Sequence, residues 1–207
     1  MQGGQQSDID EAISLHRQAL ELRLPSHPDR SSSLNNLANA LSTQFQQGGQ
    51  QSDLNEAIFL HRQAVELRLP PHPLHSSSLN NLANALFIQF QQGGQQSDLN
   101  EVISLHRQAI DLQHPPHPDR SSSLSNLASA LSTQFQKTGQ QSDLGEAMSL
   151  FLTATQYPFQ SPSNRLHIAR RWTYFADINQ HSSTIDAYEA SIQALPQVAA
   201  LSLDVTS

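Results

Sequence analysis

Ten histidines and several serine triplets are the residues of this chain with chemistry to offer. His72 with His75, and His114 with His117, each leave a two-residue gap of the kind metal sites use. Both pairs sit in proline-rich links with no cysteine and no carboxylate triad beside them, so no complete ligand set forms. Three further histidines, His16, His61 and His106, fall in the middle of apolar stripes, and the equivalent place in the fourth copy is Phe151. A position that takes phenylalanine is a packing position. Serine triplets such as residues 31–33 would be nucleophiles only with a histidine base and an acid beside them, which nothing here supplies. They fall where a helix starts, and small hydroxyl residues there cap free N–H groups. Arg165, Arg170 and Arg171 form a small basic cluster, read as a solvated helix face or a contact for a following domain. We expect no catalytic residue, no metal and no cofactor.

What positions these residues is a repeat. Ser7, Ser52, Ser97 and Ser142 each open a near-identical block, 45 residues after the last. Units of that length cannot bury their own apolar faces and must stack on their neighbours. Glycine and proline punctuate the blocks, because each is unfavourable inside a helix and tolerated at its ends. The glycines fall mostly in turns at Gly48 and Gly49, Gly93 and Gly94, and Gly139; most of the prolines fall in links at residues 25–28, 70–73 and 115–118.

Between the punctuation lie stretches of helical length. Asp8, Asp53, Asp98 and Asp143 are each followed three residues later by a glutamate, a pattern that predicts a helix capped by the aspartate. Ile9, Ala12, Ile13, His16, Ala19 and Leu20 then share one face. Leu34, Leu37, Ala38, Leu41 and Phe45 make the matching stripe of a partner helix that starts near residues 28–32. The fold class is therefore all-α, a right-handed solenoid of antiparallel helix hairpins. We expect a single array over residues 1–207. It consists of a helix at 7–23, hairpins at about 28–68, 73–113 and 118–157, a degenerate last hairpin at 162–195, and a tail at 196–207 that packs on the last face.

Composition narrows the function. The net charge is −7 and Lys137 is the only lysine, so nucleic acid is excluded as a partner on charge grounds. Cysteine is absent, which removes disulfides and thiol chemistry and suits a reducing compartment. No signal-peptide pattern and no apolar run long enough to span a bilayer is present, so the expected location is cytoplasmic, without membrane association.

The phrases Leu34-Asn35-Asn36-Leu37-Ala38 and Leu79-Asn80-Asn81-Leu82-Ala83, with His27-Pro28-Asp29 and His72-Pro73 before them, resemble tetratricopeptide repeats of the kinesin light chain type. Ala57 and Ala64, then Trp172, Phe175, Ala176, Ala187 and Ala194, resemble that family's consensus in the following helices and the last hairpin. More closely, the whole block is similar to repeat arrays of basidiomycete fungi that precede a CHAT domain, a caspase-like peptidase module. Both ends look abrupt against that pattern, which implies a fragment or short gene copy of a longer protein.

The resemblance also implies a binding face. In such arrays the first helix of each hairpin lines a concave groove, and register places Ser32, Asn35, Asn39, Ser42 and Thr43 there, with Asn80, Asn84, Phe87 and Ile88 in the second hairpin and Ser125 and Ser129 in the third. Asparagine carries both a donor and an acceptor, so a ladder of it pairs with an extended peptide without reading sequence. Solvation of an exposed face, or capping of neighbouring helices, is the competing use of the same residues. Phe87 and Ile88 place apolar surface where sister repeats have serine and threonine, a pocket for a hydrophobic anchor or simple drift.

The expected function is thus a non-catalytic scaffold that binds a protein or an extended peptide, as the regulatory arm of a larger protein. The alternatives are a self-associating structural module with homo-association through near-identical repeats, or the targeting arm of a CHAT-type peptidase beyond Ser207.

Overall fold

The computed structural model describes the backbone of residues 2–204 and the side chains of residues 7–199. Among the described residues the regular structure is helical throughout: α1 (Gln2–Leu22), α2 (Arg30–Gln46), α3 (Gln51–Leu67), α4 (His75–Gln91), α5 (Gln96–Leu112), α6 (Arg120–Thr138), α7 (Gln141–Thr155), α8 (Pro162–Ile178) and α9 (Thr184–Asp204). The chain divides into two compact units, Met1–Leu105 and His106–Ser207.

In the first unit α2 packs against α1 and α3, α3 against α4, and α2 also touches α4. Its core is made by Ile13, Leu34, Leu37, Leu41 and Leu60 around Ala38, Ala57 and Ala64, three alanines with no exposed surface. Alanine at a crossing brings two helix backbones close, and the leucines fill the groove beside it. In the second unit α7 packs on α6 and α8, and α8 on α9. Phe151 is fully buried and stacks on Phe175 with centroids 5.9 Å apart. Trp172 is buried on α8 and donates its indole N–H to Ser183 Oγ at 3.1 Å.

The helix starts differ from the sequence-based expectation by three residues. Gln50 is the cap of α3, and Asp53 is its third residue, accepting the Gln50 backbone N–H at 2.8 Å. Asp98 likewise accepts from Gln95 N at 2.7 Å. The aspartate takes the place of the glutamate in a capping box, because its shorter side chain reaches the cap N–H from one turn inside. The glutamates are thereby released for ion pairs. α1 begins at Gln2, and α9 runs through Pro196 to Asp204, so the segment expected as a tail starts as helix.

The turn between α4 and α5 needs both glycines for different reasons. Gly93 has φ +108°, a conformation that side chains disfavour. A Cβ on Gly94 would lie 2.6 Å from Phe90 Cα. At the proline links, a histidine ring supplies the turn. The Nδ1 atoms of His27, His72 and His117 accept the backbone N–H two residues on, at 3.1, 3.1 and 3.2 Å.

Candidate functional site

α2 and α4 present the first unit's polar face. Asn35 is buried there, and its Oδ1 accepts from Asn81 Nδ2 at 3.1 Å. That bond ties α4 to α2, so Asn35 is part of the packing between the two helices. Asn39 is exposed, while Asn80 and Asn84 are half-buried and engaged within the fold. Phe87 and Ile88 are also half-buried, and the Phe87 ring lies nearly parallel to Phe90 at 6.4 Å.

In the second unit the equivalent residues turn inward. Ser125 and Ser129 are both buried on α6. Ser129 Oγ donates to the Ser125 carbonyl at 3.1 Å and accepts from Arg171 Nη2 at 2.6 Å. Arg171 Nη1 donates to Asn126 Oδ1 at 2.8 Å. A guanidinium thus lies over α6, held by neutral acceptors; burial lowers its pKa from the ordinary arginine value.

Stepping the 45-residue register on from Ser32, Asn35 and Asn39 through α6 reaches His167, Arg170 and Tyr174 on α8. Those three positions were missed as site residues because the last hairpin departs too far from the repeat phrase, although the register alone points to them. They line a cavity of about 500 Å³ together with Arg171 and Ser163. Partial burial, then the charges of Arg171 and Arg170, push the His167 imidazole below its usual pKa. Arg165, read from the sequence as part of the same basic cluster, lines a separate cavity of about 450 Å³ with Trp172, Asp186 and Glu189.

The serine triplets and buried histidines have other roles than chemistry. Arg68 is buried and donates to Ser31, Ser32 and Ser78 hydroxyls at 3.0, 2.9 and 2.7 Å. The helix starts themselves lack side-chain cap bonds at Asp29, Leu74 and Asp119, so the first two triplets serve as acceptors for an arginine instead of as caps, and in the third Ser121 accepts from Asn164 Nδ2 at 3.1 Å. His61 and His106 are almost wholly buried. Desolvation brings His61 down to about 4, and desolvation with the Arg171 charge brings His106 to about 3. Both rings are neutral packing groups near neutral pH. No three His, Cys, Asp or Glu side chains converge on one point among the described residues.

Residues 76–119 match a family model for the tetratricopeptide repeat. The fold is that of a tetratricopeptide array. Solved structures agree with that assignment at low identity. Two crystal structures of nearly identical TPR-like repeats, from a kinesin-light-chain-type protein of Podosopora anserina, superpose with a TM-score of 0.66. They are 21% and 22% identical, over 96% and 94% of this chain and 90% of theirs. BtubC (BKLC) of P. vanneervenii is 15% identical with a TM-score of 0.60, over 96% of this chain and 76% of that one. No curated protein sequence matches the chain. Among the described residues, no helix of the tetratricopeptide array is long and apolar enough to cross a membrane.

Proposed function

We propose that the chain is a non-catalytic scaffold for protein–protein interaction, and that the α2 and α4 face of the first unit holds an extended peptide. Tetratricopeptide repeats as a class mediate contacts between proteins. The observation that carries the finer reading is the state of Phe87 and Ile88. Both remain half-buried on α4, at positions where the sister helices have Ser42 and Thr43, and Ser132 and Thr133. Partly solvated apolar surface beside polar groups is an anchor site for an apolar side chain. Asn39, exposed on α2, brings an amide donor and acceptor for an extended backbone.

A displayed library of random peptides, selected on the full chain, tests this directly. The affinity of selected peptides is then compared between the wild type and the double variant Phe87→Ser, Ile88→Thr. We expect a loss on the order of tenfold, about 1.4 kcal/mol; unchanged affinity would sink the assignment of this face.

Self-association is the second reading, and one observation favours it. Ile185, Tyr188, Ile192 and Leu195 stand exposed along one stripe of α9, the kind of face a second copy covers. Sedimentation over a range of concentrations separates the two. In the longer proteins that the sequence resembles, the scaffold would act as a regulatory arm beside a CHAT module. An immunoblot of native product far above 22.8 kDa supports that extension.

A further inference from the structure

The cavity beside α8 combines features that the peptide face of the first unit lacks. Ser163, His167, Arg170, Arg171 and Tyr174 line it from one helix, and Leu166 and Val198 add apolar wall. Among the described residues no carboxylate lines it. This concentration of cationic groups occurs in a chain of net charge −7, so it is opposite in sign to the molecule that carries it.

The two arginines are prepared differently. Arg171 is fixed by Asn126 and Ser129, both neutral, which orient the guanidinium and leave its charge uncompensated. Arg170, one residue before it, is exposed. A fixed guanidinium loses little freedom when an anion arrives, and a second one beside it can close on the same group. The hydroxyls of Ser163 and Tyr174 and an imidazole N–H of His167 are further donors in the same cavity. A dianion with several acceptor oxygens matches such a set better than a single carboxylate does. At about 500 Å³ the space also exceeds what a bare oxyanion needs, leaving room for the residue that bears it.

We propose that this cavity receives a phosphoryl group carried on a side chain of a peptide partner, with Arg170 and Arg171 supplying the charge and Ser163, His167 and Tyr174 the neutral donors. The site rests on the reading of the chain as a peptide scaffold and adds a modification state to what it recognises. Phosphorylation of the partner then acts as the switch for its capture by the second unit.

Trp172, the chain's single tryptophan, is buried and lines the separate cavity with Arg165, so calorimetry is the primary readout and the fluorescence reports on that second cavity. The full chain is titrated at constant ionic strength with a short phosphoserine peptide flanked by alanines, and with the same peptide carrying serine or glutamate in its place. Inorganic phosphate is a fourth arm, and fluorescence accompanies the calorimetry. Saturable binding of the phosphoserine peptide alone is expected, weakened tenfold or more by Arg170→Gln. Because Arg170 is exposed, that variant should keep the helical circular dichroism and melting temperature of the parent. Arg171→Gln gives a second reading of the same site. Equal binding of the glutamate peptide, no saturable binding, or an affinity unchanged by Arg170→Gln would overturn the proposal. Inorganic phosphate binding as tightly as the peptide would overturn the peptide as its source. The Phe87→Ser, Ile88→Thr variant should bind the phosphoserine peptide like the parent, so failure of the first-unit face and failure of this cavity are read separately.

Discussion

Arg62 on α3 and Glu101 on α5 form an ion pair at 2.9 Å. The same bond recurs as Arg17 with Glu56 at 2.7 Å and Arg107 with Glu146 at 2.9 Å, each pair 39 residues apart. These are the glutamates that the shifted helix caps leave free. Arg62 and Arg107 each link the second helix of one hairpin to that of the next, and Arg17 links α1 to α3. The partners are a third to a half exposed, so each rung contributes about 0.2–1 kcal/mol.

Arg62→Ala should therefore lower stability by less than about 1 kcal/mol at low salt. The difference should vanish at about 1 M salt, where the screening length is about 3 Å. Urea unfolding at the two salt levels checks both parts, and a salt-independent loss would mean that Arg62 acts through the packing of its aliphatic stem.

Acid should destabilise the chain through His61 and His106. Above about pH 6.5, the unperturbed value, both rings are neutral whether folded or not. Below it the unfolded chain takes up protons that the buried rings refuse until about 4 for His61 and about 3 for His106. Their stability contribution is thus full above about 6.5 and is lost as pH falls toward 4, by up to about 1.4 kcal/mol per pH unit for each ring. Replacing both with phenylalanine, the residue found at the equivalent Phe151, should flatten the slope of stability against pH between about 6 and 4.5. A slope identical to the parent's would exclude these rings as its source.

Removing the Arg68 guanidinium strips three buried or half-buried serine hydroxyls of their donor. Arg68→Ala should cost about 2–4 kcal/mol, seen as a drop in melting temperature of roughly 4–16 °C. Arg68→Gln copies the third repeat, where the side-chain amide of Gln113 is buried with no bonded partner, and should recover little of the loss.

The glycine pair at 93 and 94 separates two costs. Gly93→Ala meets open space but a disfavoured φ, and should lose about 1 kcal/mol. Gly94→Ala drives a Cβ into the backbone of α4 and should lose more, with α5 displaced. Equal losses, measured by urea unfolding, would mean that the turn relaxes freely around both.

Most of the architecture was legible because apolar spacing and the 45-residue period carry the same message in every copy. Leu34, Leu37, Ala38 and Leu41 pack where their stripe puts them. The caps were misplaced because Asp and Glu both satisfy the pattern, and only the backbone decides which of them reaches the free N–H. Bonds between copies were harder to see. Asn35 with Asn81, and Arg68 with Ser31, join residues more than 35 positions apart, and no local period announces such pairs. Two of the link histidines, His72 and His117, spend their Nδ1 atoms on backbone N–H groups two residues on, a use that no spacing in the sequence announces. His167, Arg170 and Tyr174 were within reach of the sequence through register, but the surrounding phrase had changed too much to invite the comparison.

The recurrence of the Arg–Glu rung with constant separation has a genetic consequence. Excising 45 consecutive residues between equivalent points, such as residues 53–97, rejoins Ser52 to Asp98 and brings Arg17 to Glu101 at the same 39-residue offset. Unequal crossing-over between such copies removes or adds a whole rung while leaving every junction chemically satisfied. Length variants of this gene should accordingly fold, with the number of polar faces as the quantity that recombination tunes.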